Sequence, residues 1–341
     1  MSLAQRCCAG CFGDRGLRNN IIPRLSKERG VCSYCGAGNA DLVEPVQLQD
    51  NFEALVSIYE PDGKGRLLVE WLKDDWAMFH PSMDLARQKE LLADVLDNDD
   101  IVRHTYTPSA KYRSDGLERW EKLRTELMHE NRYFPDAQLN TDRLKELFAL
   151  LHADDVPLDW YRARLQTTDT VFELGEMGAP PQRVAGHGRA NPAGIPYLYL
   201  GSTPETALSE TRPHTGERAC VADFTIPTGL TLLDLRRPRA LVSPFDLGDE
   251  DQIGLLRSDI DFLERLGEEL TRPILPQCAM IDYVPSQYLC EFVKKCGYAG
   301  VIYRSAVSEG INLALFNPSQ AKPIRVRPYV IQQVAVTVRA M

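Results

Sequence analysis

At 341 residues the chain is about twice the commonest domain size, which predicts two or three units, each with its own core. With 44% hydrophobic and 26% charged residues it belongs with globular rather than disordered or fibrous proteins, and no apolar run reaches the roughly 18 residues that span a bilayer. Thirty-nine basic against 48 acidic side chains leave a net charge of -9, which disfavours nucleic acid as a chain-wide partner, because phosphate affinity rests on Lys and Arg.

The opening residues, MSLAQRCCAGCFGDRG, carry no apolar stretch of the signal-peptide kind, so a reducing cytoplasm is the expected location. Five of the nine cysteines, Cys7, Cys8, Cys11, Cys32 and Cys35, fall within residues 1–35. The same stretch holds Arg6, Arg15, Arg18, Arg24, Lys27 and Arg29 against Asp14 and Glu28, a local balance of 6 minus 2, or +4. Cys8 and Cys11 form one Cys-x2-Cys pair, and Cys32 and Cys35 form another after 20 intervening residues. That is the spacing of a four-thiolate structural zinc site, with Cys7 as a spare. Such a staple replaces the core that so short a module cannot build. The alternative, a redox pair, needs only one Cys-x-x-Cys. Four thiolates on Zn2+ contribute -2, so the module is left modestly basic, at +2.

From Asp50 to about Ala153, NFEALVSIYE, GRLLVEWLKDDWAMF, ARQKELLADVL, LERWEKLRTELMHENRYF and TDRLKELFALLH place apolar residues three and four apart. This predicts a helical connector, with turn clusters such as PDGKG between helices. Within it, Arg124 and His129 match an Arg-x4-His nuclease pattern, but residues five apart on a helix diverge by about 140°. The plainer reading is two polar residues on a solvated face.

Beyond Pro157 the texture changes to short strand-like runs, VPLDWYRARL, IPYLYLG, ACVADFTI, LTLLDL, GVIYRS and INLALF. Helices are expected at TPETALSETR, IGLLRSDIDFLERLGEEL and SQYLCEFVKKCG, the last stopped by Gly297. The fold class is α+β. Four pieces of this half carry polar residues in unusual settings. Arg162 lies in Trp-Tyr-Arg-Ala-Arg. Arg189 lies between glycines in Gly186-His-Gly-Arg-Ala-Asn-Pro-Ala-Gly194, a loop that either lets backbone approach a ligand while Arg forks onto a phosphate, or is a surface turn. Tyr197 and Tyr199 share a strand face before a helix that Ser202 or Thr203 can cap. On that helix Glu210 follows Ala207 on a face expected to be buried, so it needs a partner, Arg212 being the structural choice. Ser305 ends an apolar strand, where a Ser is ordinarily a turn former, and no Gly-x-Ser-x-Gly surrounds it.

Together, GRANPAGIPYLYL, TALSETRP and QYLCEFVKKCGYAGVIYRSAVSEGINLALF resemble the RES domain, a bacterial toxin family named for its Arg, Glu and Ser, over roughly residues 157–320. The family Arg, Glu and Ser correspond to Arg189, Glu210 and Ser305, and Arg162 and Tyr199 also stand where the family has site residues. His187 and Ala190 depart from the commoner pattern of a Gly and an aromatic, which bears on the pocket rim. The Cys-rich start is similar to an N-terminal domain fused to RES and to helical nuclease toxin domains.

The resemblance implies a mixed α/β domain similar to ADP-ribosyltransferase toxins that binds NAD+ as substrate and breaks its nicotinamide–ribose bond. Glu210 would stabilise an oxocarbenium-like state, Arg162 and Arg189 would hold diphosphate or ribose, Tyr197 and Tyr199 would face the nicotinamide, and Ser305 would bond the carboxamide or Glu210. Glycohydrolysis or phosphorolysis is the expected reaction. Transfer of ADP-ribose to a protein or nucleic acid, and a zinc-dependent nucleic-acid binder with an inactive RES-like half, are the alternatives. The expected organisation is a four-cysteine zinc module at 1–50, a connector at 51–153, a catalytic domain at 154–325 and a C-terminal strand or tail at 326–341. An antitoxin or regulatory protein is the expected partner, with a homodimer also compatible; no membrane partner is expected. The N-terminal region is a candidate regulator.

Overall fold

Cysteine knuckles and short strands open the chain in the computed structural model, which describes residues 5–335. Strands β1 (Cys7–Cys8), β2 (Glu28–Gly30) and β3 (Ala40–Val43) form a small antiparallel sheet ordered β1-β3-β2. Gly36 has φ +72° and donates its N–H to the Cys32 carbonyl, closing a knuckle turn that only glycine adopts without strain. The amphipathic segments that follow form helices at Gln49–Val56, Leu68–Trp76 and Leu85–Leu96, burying Phe52, Leu55, Leu72, Trp76, Leu91 and Leu92.

The all-helical expectation for this region needs correction. PDGKG is no turn between helices: it lies inside β4 (Tyr59–Leu67), which pairs antiparallel with β5 (Thr105–Pro108). The register breaks between Pro61 and Arg66, so the turn-forming residues bulge out of a continuing strand. Gly65 permits the approach, since a Cβ there would stand 2.1 Å from the Tyr106 carbonyl oxygen. Residues Met1–Leu117 and Arg237–Leu263 make up one compact unit.

The second unit, Glu118–Arg236 with Glu264–Met341, is built on a seven-stranded mixed sheet. Its strands are β6 (Asp159–Leu165), β7 (Leu198–Gly201), β8 (Arg218–Thr225), β9 (Leu232–Asp234), β10 (Gly300–Arg304), β11 (Ile311–Leu315) and β12 (Lys322–Val330). Their order is β12-β8-β6-β7-β11-β10-β9, antiparallel except for the β9–β10 edge. The strand or tail expected from 326 begins earlier, inside β12, and its residues 336–341 lie outside the described residues. The core beneath the sheet gathers Trp160, Leu198, Leu200, Phe224, Ile302, Leu313 and Leu315, each side chain contributing roughly 1.5–3 kcal/mol by its burial. Helices Pro204–Glu210 and Val284–Lys295 belong to this unit, as do most of Gly116–His129 and the end of Glu250–Thr271. The α+β class expected from sequence is the one observed.

Candidate active site and metal site

The turn from β7 into its helix is chemically specified. Thr203 Oγ1 accepts the Thr206 N–H at 3.1 Å, and Pro204 takes the first turn, where its missing donor costs nothing. The helix lasts until Glu210, and Arg212 beyond it holds φ +50°. Glu210 is exposed rather than buried, contrary to the expectation from Ala207, because the helix ends there at the mouth of a cavity. It makes no ion pair with Arg212 among the described residues. Two neutral donors hold it instead: Ser305 Oγ donates to Oε1 at 2.7 Å and Asn312 Nδ2 donates to the same oxygen at 2.6 Å.

Ser305 follows β10 and is itself fixed, its Oγ accepting the N–H groups of Val307 and Ser308. It is therefore both a turn former and a Glu210 ligand. Asn312 was not anticipated. The signal available was a lone polar residue in the apolar run INLALF, on a strand whose register sets Asn312 opposite Gly201.

The Gly186–Gly194 loop is stapled from two sides. Tyr199 donates its hydroxyl hydrogen to Asn191 Oδ1 at 2.7 Å and accepts the Ala190 N–H at 2.9 Å. From the helix Val284–Lys295, Ser286 Oγ donates to the Arg189 carbonyl at 2.6 Å and Gln287 Nε2 to the Gly188 carbonyl at 2.9 Å. Gly188 is required for this packing: a Cβ would stand 2.3 Å from Asn191 Oδ1 and 2.4 Å from the Tyr199 hydroxyl. Burial pushes the Tyr199 phenol well above its ordinary range, so it stays a neutral hydrogen-bonding group.

These elements enclose a cavity of about 480 Å³ lined by Arg162, Arg189, Arg212, His187, Tyr199, Glu210 and Asn312 among others. Three arginines against one glutamate leave a surplus of two positive charges. Arg162 donates from Nη1 to the Tyr199 carbonyl at 3.2 Å, while its buried Nε has no partner among the described residues. Burial first, and Arg164 second, lower its pKa to about 10, so it remains a cation near neutral pH. Arg189 donates from Nη1 to the Arg272 carbonyl at 2.9 Å and lies over the Tyr283 ring at 5.3 Å. The cavity thus brings together Arg162, Arg189, Tyr199 and Glu210, with Ser305 bonded behind. Tyr197 does not join them: its buried ring packs on Phe316 at 4.8 Å, with Lys294 above it. Arg124 also departs from expectation. It pairs with the fully buried Glu269 at 2.9 Å, whereas His129 is exposed.

In the first unit, Cys8, Cys11, Cys32 and Cys35 bring their sulfurs within 4.8 Å of one another, at 3.5 Å for Cys8–Cys35 and 3.3 Å for Cys11–Cys32. Four thiolates on tetrahedral zinc stand about 3.8 Å apart, given Zn–S bonds near 2.3 Å. The set therefore fits one metal ion. Hydrogen bonding with Cys11 and Cys8 draws the Cys32 thiol far below its ordinary pKa, while the Cys32 bond raises Cys11. A bound dication would favour the thiolate form of all four. Buried Cys7 pairs in β1 with Val43.

The cleft on the mixed sheet thus sets guanidinium groups in surplus around one hydrogen-bonded carboxylate. Residues 159–338 match the family model of the RES domain. The chain belongs to that family, whose toxins act on NAD as a class. Among solved structures it is similar to a chain of the M. tuberculosis MbcT-MbcA toxin-antitoxin complex, with 14% identity, a TM-score of 0.34, and coverage of 55% of this chain and 92% of that one. No curated protein matches the sequence. Among the described residues no helix is long and apolar enough to cross a membrane.

Proposed function

We propose that the chain is an NAD-degrading enzyme, a glycohydrolase or phosphorylase that cleaves the nicotinamide–ribose bond and acts as a bacterial toxin or defence effector. The observation that carries this reading is the Glu210 carboxylate, held through Oε1 by Ser305 and Asn312 at the mouth of a cavity with surplus positive charge. With Oε1 committed to two donors, Oε2 is the oxygen left to face the ribose. As the C1′–N bond breaks, its electron pair leaves with nicotinamide, and positive charge develops on the ribose ring beside that carboxylate. Water or phosphate then forms the C1′–O bond and gives up a proton. Arg162 and Arg189 would hold the diphosphate as planar donors, Tyr199 would bound the nicotinamide end through its ring, and Ser305 would act through Glu210. The position of Tyr197 in the core supports no ligand contact for it.

The catalytic part is proposed as residues 154–325, preceded by a zinc module at 1–50 and a connector at 51–153 and followed by a strand or tail at 326–341. Structural zinc on Cys8, Cys11, Cys32 and Cys35, an antitoxin or regulatory protein as partner, and a cytoplasmic location complete the proposal. Incubation of the full chain with adenine-labelled NAD tests it. Nicotinamide with free ADP-ribose, or with its phosphate ester when phosphate is supplied, supports the reading. Label retained on a macromolecule would instead favour transfer, and intact NAD would refute both.

A further inference from the structure

Glu269, at the end of the helix Glu250–Thr271, is fully buried and meets three guanidinium groups: Arg265 Nη2 at 2.7 Å, Arg124 Nε at 2.9 Å and Arg272 Nε at 3.2 Å. Neutralising one carboxylate does not take three arginines. Arg265 also reaches Glu121 at 2.5 Å, so Arg265–Glu121 and Arg124–Glu269 tie this helix end to the helix Gly116–His129. Arg272 has a different second task. Its Nη2 donates to the Asp282 carbonyl at 2.8 Å, while its own carbonyl accepts from Arg189 Nη1 at 2.9 Å.

One guanidinium therefore closes the base of the segment 272–282. Its near end is fixed through Glu269 and its far end through the Asp282 carbonyl. That segment supplies Ile274, Pro276 and Ala279 to the cavity wall, and Tyr283 follows it. Arg189 is held by both ends at once, bonded to the Arg272 carbonyl and lying over the Tyr283 ring. Among the described residues its remaining donors have no hydrogen-bond partner and can meet a ligand.

We infer that Arg272, anchored by Glu269, is a positioning residue that sets the orientation of Arg189 and thereby the affinity for the diphosphate part of the ligand; this rests on the reading that Arg189 binds that group. Only a planar fork can serve Glu269 and Asp282 together, so Lys is not an equivalent replacement.

The test uses the full chain, with ADP as a diphosphate probe that lacks nicotinamide. Calorimetry gives its Kd, and NAD turnover gives kcat and KM. For Arg272→Lys and Glu269→Gln, ADP affinity and KM are each expected to weaken about tenfold, the scale of one bond to a charged group, with kcat nearly unchanged. Arg124→Gln removes another Glu269 partner away from Arg189; it is expected to lower Tm while leaving the ADP Kd and KM at wild-type values. Should Glu269→Gln fail to fold, Arg272→Lys against Arg124→Gln decides alone. Wild-type affinity in Arg272→Lys, or equal weakening in Arg124→Gln, overturns the positioning role while leaving the dinucleotide reading standing. A wild-type chain that does not bind ADP overturns that reading and the positioning role with it.

Discussion

The two candidate sites of this chain are assembled in opposite ways. The metal site draws all four sulfurs from residues 8–35, on two tight knuckles. The cleft draws its charged and hydrogen-bonding groups from Arg162 to Asn312, on strands and helices adjacent only after the seven-stranded sheet has formed. A site built from local spacing should stabilise the region around it, whereas one built from distant elements should register its losses in ligand affinity and rate while leaving the fold intact.

The sharpest way to break that contrast is Cys32→Ser. A structural zinc site is worth on the order of 10 kcal/mol, so the variant should lose its zinc by elemental analysis and expose residues 1–50 to protease. Full zinc content and wild-type protection would rule out a structural zinc site on these cysteines. Asp14 offers a second stability test in the same unit. Burial raises its carboxyl pKa from 3.8 to about 6, partly offset by the Leu17 N–H at 2.8 Å and Ser243 Oγ at 3.1 Å. A folded carboxyl that holds its proton more tightly than the unfolded one favours folding below pH 4, and that advantage is lost as pH rises through 6. Asp14→Asn should therefore gain stability over wild type as pH rises from 4 past 6, approaching about 3 kcal/mol, read by urea unfolding at several pH values. A pH-independent gap would contradict this.

In the cleft the expected losses are smaller and kinetic. Asn312→Ala removes one of two donors to Glu210 Oε1 and should cut kcat about tenfold, with KM for NAD little changed. A change confined to KM would mean that Asn312 contacts the ligand instead. Gly188→Ala forces the loop away from Tyr199 and Asn191; a several-fold rise in KM is expected, about one weakened hydrogen bond's worth. An unchanged KM would detach the loop from ligand binding.

The same contrast explains what could be read from sequence. Cysteine spacing is sufficient to single out the four cysteines whose sulfurs the fold brings together, and short apolar runs between turn residues marked the strands of the mixed sheet from β6 to β11, β9 at its edge included. The charged, Pro-broken β12 gave a weaker signal, legible only as a strand or tail. Arg189, Glu210 and Ser305 were legible as a group through their family pattern, and the structure brings them together. Asn312 looked like an ordinary strand residue, because its role depends on register with β7 and on where a helix ends. Arg272 and Tyr283 lie more than 80 residues beyond the arginine they hold, with no local signature. The ribbon of β4 and β5 was missed because PDGKG has turn chemistry and bulges from a strand instead of ending one. Glu210 was expected to be buried because helical periodicity does not reveal that the helix opens into a cavity.

If Glu210 stabilises the transition state of nicotinamide–ribose cleavage, nicotinamide release from NAD must differ between wild type and Glu210→Gln. Removing the charge while keeping the shape should lower kcat about 100-fold or more, with Tm and zinc content unchanged. Equal rates of nicotinamide release from the two proteins would contradict it.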